Sequence, residues 1–261
     1  MKISHKTLPF AVLLCALLWG SAFPGIKAIY AEWAQHGIEP NFSNRLFIAG
    51  VRFSIGGAFL LLIAKQPFKE LKQTPKLPLL GFSLLQTYLQ YICFYTALAV
   101  SSAVLGSLLT STGSFWWLLL APLLLKSPSP TKKQWVLLLL GAIGVAIAVY
   151  HPGAGSNNVV LGTALFLAST LCGAIAIIVY QKLPATMGAR ASTGFGLLLG
   201  GLLLTLSGMQ AWPHFASLLT PKVLLLTFYL SLVSAIGFGL WNYLTQLFPV
   251  NLLAGYRFLI P

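Results

Sequence analysis

Three cationic side chains interrupt long apolar stretches of the sequence, where charged residues are unusual. Lys27, Arg52 and Arg257 each lie inside a stretch of about 20 mostly apolar residues, the length of a membrane-spanning helix. Burying a charge in a membrane costs several kcal/mol, so each side chain is expected to face a partner or a wet cavity, where it could bind an anionic ligand. Two structural alternatives stay open: Lys27 could extend to the membrane interface, and Arg52 could donate to carbonyls at helix ends.

The third apolar stretch carries the richest set of neutral polar side chains. In a helix with about 100° between residues, Gln86 and Gln90 lie about 40° apart, with Tyr88, Tyr91 and Tyr95 beside them. Amides that faced lipid would lack hydrogen-bond partners, so this face is expected to point into the protein. It is the best candidate for a surface that binds a polar substrate.

A stripe of hydroxyl side chains follows in the fourth apolar stretch, at Ser107, Thr110, Ser111 and Ser114. Helix packing is the favoured explanation, because small hydroxyl residues let helix backbones approach or bond across an interface. A substrate contact is the alternative. The remaining candidates for a cavity wall are Ser111 of this stripe, Trp19, Trp241 and Asn242.

The acids, histidines and cysteines show no catalytic or metal-binding pattern. All three acids, Glu32, Glu39 and Glu70, are expected in loops, which leaves no membrane carboxylate for a proton relay. The histidines are isolated, and the cysteines lie inside apolar stretches without ligand spacing. We therefore predict a protein that is not an enzyme, with no catalytic residue, metal or cofactor.

Composition indicates which elements must position these residues. Of 261 residues, 57% are hydrophobic and 7% are charged, and the mean hydropathy is +0.86. A soluble domain would carry about 25% charged residues, so the sequence predicts an all-α polytopic membrane protein. The net charge of +13 does not indicate nucleic-acid binding, because the cations lie mostly in short gaps between apolar stretches.

Eight spans and the start of a ninth are expected. Positive residues are concentrated at the N-terminus and in the second, fourth and sixth loops, whereas the first loop carries Glu32 and Glu39. Since positive loops favour the cytoplasm, the N-terminus is predicted to be cytoplasmic in a multi-pass protein of the inner (plasma) membrane. The spans are 8–30, 45–64, 77–98, 102–125, 133–150, 159–180, 192–212 and 222–248, with a ninth from about 250.

The span order repeats after 149 residues, the separation between Ile26 and Ile175. Five spans separate the copies, an odd number, so the second copy is inverted in the membrane. Inverted repeats are typical of transporters, which bind substrate between the halves. The predicted repeats are 1–150, with five helices, and 151–261, with three helices and part of a fourth. A partner for the fifth span would fall at about 282–299, so a full protein of ten helices is expected.

Short motifs follow one another in a characteristic order along the chain. They are Leu18-Trp19-Gly20-Ser21-Ala22-Phe23 with Ile26-Lys27, Val51-Arg52-Phe53, Tyr95-Thr96-Ala97-Leu98 with Ser101-Ser102-Ala103, Leu140-Gly141-Ala142-Ile143-Gly144-Val145, Ala235-Ile236-Gly237-Phe238-Gly239-Leu240-Trp241-Asn242 and Phe258-Leu259-Ile260-Pro261. This order resembles the drug/metabolite transporter superfamily, specifically its EamA-like ten-helix family. The resemblance implies two five-helix repeats and metabolite export.

Two features depart from the family pattern. Lys126-Ser127 stands where the family usually has a Glu-Arg pair, and Thr112-Gly113-Ser114 stands where the fourth helix usually has a proline. The resemblance to the family extends over the whole chain, but a mechanism that uses the glutamate does not carry over.

The leading hypothesis is a secondary transporter that exports a small polar metabolite, such as an amino acid, by alternating access. The positive charge within the membrane favours a substrate with a carboxylate or another anionic group. The expected partners are this small molecule and the lipid bilayer, while the oligomeric state stays open. Two alternatives remain: a membrane-embedded lipid-linked transferase, and an inactive, truncated transporter homologue.

Overall fold

Nine principal helices make up a computed structural model that describes residues 3–125, 128–150 and 158–257. Short helices at Pro67–Gln73 and Phe215–Leu218 and a 3-10 turn at Met209–His214 lie in the connections. The principal helices are α1 Leu8–Gln35, α2 Phe42–Leu62, α3 Lys76–Val100, α4 Ala103–Leu125, α5 Lys132–Tyr150, α6 Val159–Tyr180, α7 Ala189–Ser207, α8 Pro221–Leu247 and α9 Val250–Arg257.

Seven helices in the described ranges, α1–α4 and α6–α8, are long and apolar enough to cross a membrane. Their most apolar windows have mean hydropathies between 1.2 and 2.1. The prediction of an all-α polytopic membrane protein is confirmed. Lys126-Ser127 and the motif from Phe258 to Pro261 lie outside the described residues, and the repeat boundaries remain predictions.

The first and seventh spans end differently from the prediction. α1 continues past Tyr30 to Gln35, and α7 ends at Ser207, before the 3-10 turn. The prediction that Glu32 lies in a loop is therefore wrong. Glu32 lies in the last turns of α1, and its carboxylate is 2.8 Å from Lys222 Nζ. Glu70 also lies in a helix, the short one at Pro67–Gln73.

Helix starts and ends follow from side chains that satisfy free backbone groups. Asn41 Oδ1 accepts a 2.9 Å bond from the Asn44 amide at the start of α2, and Ser102 Oγ caps α4 in the same way. Thr220 Oγ1 caps α8. Gly37, with a φ of 69°, follows the end of α1 in the left-handed conformation that glycine adopts most readily.

Helices α2 and α7 pack antiparallel with their backbones almost in contact. A Cβ atom on Gly57 would lie 2.4 Å from the Leu198 amide nitrogen, and one on Gly201 would lie 2.6 Å from the Ser54 amide nitrogen. Only hydrogen fits at these positions, so glycine sets the distance between the two helices.

The loops gather at two ends of the bundle, which we name by the acids found there. The Glu32 end contains loops 36–41, 101–102 and 208–220, where Trp33 Nε1 donates to Leu218 O at 2.9 Å. The Glu70 end contains loops 63–75 and 181–188. α1 packs against α8 and α3 against α6 between these ends, and these pairs enclose the centre of the bundle.

Two irregular turns lie near the middle of the bundle. α3 contains a π-helical turn at Leu84–Leu89, a form that is frequent at functional sites. α4 is interrupted between Thr110 and Gly113, where the hydroxyls of Ser111 and Thr112 donate to carbonyls of the preceding turn at 2.6 Å. Such side-chain bonds compete with the helix, so these residues interrupt α4 where the family pattern has a proline.

Candidate functional site

A cavity lies at the centre of the bundle and is lined by helices from both predicted repeats. Six predicted candidates line it: Trp19, Arg52, Gln86, Gln90, Tyr91 and Trp241. The other lining residues are Ala22, Phe23 and Ile26 of α1, Phe94 of α3, Thr110 of α4, Phe166, Ser169, Thr170, Gly173 and Ile177 of α6, and Phe238 of α8.

Arg52 places a buried positive charge at the cavity wall. Its Nε donates to Leu230 O at 3.1 Å and to Ser234 Oγ at 2.8 Å, and its Nη1 donates to Tyr95 Oη at 3.1 Å. The side chain is only 2% exposed. All three acids of the sequence are in the described part of the chain, and none pairs with Arg52. Neutral dipoles therefore hold the guanidinium, and its charge stays uncompensated.

A buried amide cluster fixes the orientation of Gln86. Asn242 Nδ2 donates to Gln86 Oε1 at 3.0 Å and to Thr193 Oγ1 at 2.9 Å, which joins α8 to α3 and α7. Gln86 and Asn242 are 2% and 0% exposed, so these bonds form without competition from solvent. Asn242 thus positions a cavity residue without lining the cavity itself.

Several polar atoms at the cavity have no hydrogen-bond partner among the described residues. They are Trp19 Nε1, Gln86 Nε2 and Gln90 Oε1. Buried polar groups are normally paired, so these atoms mark positions that a ligand or a water molecule would occupy. Gln90 reaches its place because Gly173 opposite lacks a side chain: a Cβ there would lie 2.8 Å from Gln90 Oε1.

Aromatic rings form most of the remaining wall. Trp19 lies between Phe238 and Trp241, with ring centroids 5.3 and 5.7 Å away. The rings of Phe94 and Phe166, which also line the cavity, are 5.6 Å apart. The cavity therefore combines a charged position and amides with flat apolar surfaces, the usual make-up of a small-molecule site.

Four predicted residues lie outside the cavity lining, and the side chain of a fifth, Arg257 at the end of α9, is not among those described. Lys27 Nζ donates to Leu98 O at 2.7 Å and to Ser101 O at 3.3 Å, so it binds carbonyls at the end of α3. Ser111 bonds to its own helix. Tyr95 and Asn242 contact lining residues instead of the cavity.

The sequence did not single out the wall contributed by α6. Ser169 and Thr170 line the cavity, and Thr170 Oγ1 lies 3.1 Å from Thr112 Oγ1 and accepts from Trp116 Nε1 at 3.2 Å. The available signal was a pair of adjacent hydroxyl residues in an otherwise apolar span. Among the described residues, no group of three or more His, Cys, Asp or Glu could hold a metal.

Similarity to known proteins identifies the class of this chain. Residues 7–150 match the EamA-like transporter family. The chain is also similar to an uncharacterised transporter, YvbV, of Bacillus subtilis (strain 168), with 26% identity over 274 residues that cover 100% of this chain and 83% of that protein. No solved structure matches it. Because the family match covers more than half of the sequence, the chain belongs to the EamA-like transporter family.

Proposed function

We propose that the protein is a secondary transporter that exports a small polar metabolite carrying a carboxylate, such as an amino acid, by alternating access. The observation that carries this proposal is the cavity between the two predicted repeats, with the uncompensated charge of Arg52 in its wall. A carboxylate is the group that best complements a buried guanidinium, since it accepts two hydrogen bonds and neutralises the charge.

Two inverted halves, 1–150 and 151–261, would supply the moving parts. The helix pairing supports this division, because α1 packs on α8 and α3 on α6, while α2 packs on α8 and α3 on α7. When α1 is exchanged with α6, α2 with α7 and α3 with α8, the α1–α8 pair becomes the α6–α3 pair. The α2–α8 pair likewise becomes the α7–α3 pair. The α2 and α7 helices, which exchange with each other, run antiparallel as inverted copies would.

The charge distribution favours an orientation with the Glu70 end in the cytoplasm, so that export would run from the Glu70 end towards the Glu32 end. The loops and helix starts at the Glu70 end carry Lys65, Lys69, Lys72, Lys182 and Arg190. Positive residues favour the cytoplasmic side, so we assign the Glu70 end to the cytoplasm. The direction of transport rests on the family resemblance.

Export by cells that express Arg52→Gln tests the proposal, after a metabolite screen of cells with and without the intact protein has supplied the substrate. Glutamine keeps a polar side chain, two atoms shorter than that of arginine, and removes the charge, so we expect the substrate concentration for half-maximal export to rise about tenfold or more. Arg190→Gln, at an exposed position of the Glu70 end, is the matched control and should transport normally. Normal half-saturation in correctly folded Arg52→Gln would contradict a carboxylate at Arg52.

A further inference from the structure

A groove on the outside of the bundle lies at the Glu70 end, apart from the central cavity. It has a volume of about 600 Å³ and is lined by α2, α8 and the start of α7. The groove and the cavity share no lining residue. Phe59 of α2 and Ile236 of α8 form part of its wall and are 39% and 43% exposed. Exposed apolar side chains on membrane-spanning helices face lipid, so the groove opens to the bilayer.

The lining changes from polar to apolar along the groove. Lys65 follows the end of α2 and Arg190 lies in the first turn of α7, so both cations are at the Glu70 end. On α8 the lining runs from Tyr243 back to Ile236, seven residues or about 10 Å deeper in the membrane. A phospholipid has the same order, with a charged headgroup at the surface and acyl chains towards the midplane.

Small residues form the floor of the apolar part. A Cβ atom on Gly239 of α8 would lie 3.2 Å from Leu60 Cδ2 of α2. Ala235, one turn earlier on α8, is fully buried, and Leu60 is nearly so. The two helices are therefore packed against each other beneath the groove, and an acyl chain in it would contact a continuous apolar surface.

No acid neutralises the two cations of the groove. All three acids of the sequence are in the described ranges, and none forms an ion pair with Lys65 or Arg190, which are both exposed. Glu70 also lines the groove, but its Oε2 accepts from the Gly188 amide at 2.9 Å, at the start of α7. The lining thus keeps a net positive charge, and this end of the groove favours an anion.

A second outer groove, between α3 and α7, lacks this charge pattern. Its volume is about 610 Å³, and its lining is apolar except for Lys76 and Ser83. Lys76 Nζ donates to Leu71 O, and Ser83 Oγ donates to Leu79 O at 2.7 Å. Its one lining cation is therefore already bound to a carbonyl, and the groove offers an acyl chain a place without a pair of free cations for a headgroup.

We propose that the groove between α2, α8 and the start of α7 binds an anionic phospholipid. Its phosphate lies between Lys65 and Arg190 and accepts hydrogen bonds from both, and one acyl chain lies along Gly239 and Ile236. A zwitterionic headgroup would bring a cation of its own to the same end and gain less from the two side chains. A free phosphate would leave the apolar part of the groove without a ligand.

Lipid-dependent stabilisation of the purified full chain in an uncharged detergent tests this site. Phosphatidylglycerol and phosphatidylcholine with the same acyl chains are added to wild type, Lys65→Gln/Arg190→Gln and the control Lys76→Gln, and thermal unfolding is followed. In wild type and the control, we expect phosphatidylglycerol to raise the midpoint at about tenfold lower concentration than phosphatidylcholine. The double variant should lose this preference and keep the phosphatidylcholine response. Because both altered side chains are exposed, its midpoint without lipid should match wild type.

Photoreactive analogues of both lipids, with the reactive group on the acyl chain, locate the site. In wild type, the phosphatidylglycerol analogue should label peptides that contain Phe59 or Ile236 about threefold more strongly than the phosphatidylcholine analogue does. The double variant should show equal labelling by the two lipids. Peptides that contain Leu199 or Leu202, from the second outer groove, should be labelled alike by both lipids in every variant.

Three results would overturn the proposal. Equal responses of wild type to the two lipids would show that the groove holds bilayer lipid without selecting the headgroup. A preference for phosphatidylglycerol that persists in the double variant would place the anionic lipid elsewhere. A similar rise with glycerol phosphate, which has no acyl chain, would make the two cations a site for a free anion. Since the groove lies apart from the cavity, Arg190→Gln stays a valid control for substrate affinity in the export assay.

Discussion

The guanidinium of Arg52 is positively charged and pairs with no acid among the described residues. Its bonds to Leu230 O, Ser234 Oγ and Tyr95 Oη replace the hydration that it lost on burial, but they do not cancel the charge. An anion that enters the cavity therefore meets an unbalanced positive charge in a water-poor environment, where the attraction is stronger than at the surface.

Replacement of Ser234 by alanine measures how much this support contributes. The Ser234 hydroxyl is 0% exposed and accepts from Arg52 Nε at 2.8 Å. Its loss leaves a charged donor with one partner fewer, so we expect the free energy of unfolding to fall by about 1–3 kcal/mol. Ser54→Ala removes a hydroxyl that has no partner among the described residues and should change stability much less. Reversible denaturation in mixed micelles gives both values, and equal losses would contradict a specific role for the Arg52 bond.

Replacement of Asn242 by alanine tests the amide cluster. The change removes both bonds from Asn242 Nδ2 and leaves Gln86 Oε1 buried without this donor. We expect unfolding to become easier by about 2–4 kcal/mol, and Gln86 to lose its fixed orientation at the cavity. Thr193→Val removes only one of the two bonds and should cost less. Comparable export by Asn242→Ala and wild type, at equal membrane levels, would show that Gln86 orientation does not matter for transport.

The sequence predicted part of this residue pattern and left the rest open for physical reasons. For Arg52 the sequence leaves open a bond to carbonyls at helix ends and a ligand contact, whereas in the structure it binds Leu230 O in the interior of α8 and lies in the cavity wall. Lys27 had the alternatives of a site and the interface, whereas it binds the carbonyls of Leu98 and Ser101. Which carbonyls come within reach depends on the packing of α1 against α3, and that packing is not encoded in the local sequence.

At the scale of single helices, span positions were predictable and internal irregularities were not. Hydropathy gives the position of α3, but a uniform 100° per residue cannot reveal the π-helical turn at Leu84–Leu89. Gln86 lies within this turn and Gln90 follows it directly, and both side chains line the cavity. In α4, the interruption before Gly113 arises from hydroxyl bonds that compete with the helix, a choice that the apolar pattern does not show.

The close contact between α2 and α7 gives an element-scale prediction. In Gly57→Ala the new Cβ would meet the Leu198 amide nitrogen at 2.4 Å, so the two helices must move apart. We expect a loss of about 3 kcal/mol or more in stability, since backbone atoms cannot rotate out of the way. Gly144→Ala in α5 is the matched control: nothing lies within 4 Å of its Cβ position, and alanine should stabilise the helix by up to about 1 kcal/mol. Thermal unfolding gives the midpoint of each variant. Equal midpoints would contradict the close contact between α2 and α7.

At the scale of the whole molecule, two of the three acids join the predicted halves at opposite ends of the bundle. Glu32 of α1 pairs with Lys222 of α8 at 2.8 Å. Glu70, in the connection between α2 and α3, accepts from the Gly188 amide at 2.9 Å, just before α7. Alternating access requires the halves to separate at one end while they stay together at the other, so these contacts would have opposite effects on the conformational balance.

Neutralising each acid tests this balance. Glu32→Gln weakens the ion pair at its end, and we expect the protein to open more often there, by about twofold to fivefold in population, as partly exposed ion pairs contribute about 0.3–1 kcal/mol. Glu70→Gln replaces a charge-assisted bond from the Gly188 amide by a weaker neutral one and should favour opening at the opposite end by a smaller factor. Labelling of single cysteines placed at each end, with a membrane-impermeant thiol reagent added from either side, measures the populations.

Glu39→Gln is the control, since Glu39 forms no ion pair with any described residue. In the double variant Glu32→Gln/Glu70→Gln the two shifts should partly cancel. If both single variants instead increased accessibility at the same end, the two acids would not act as opposing contacts between two moving halves.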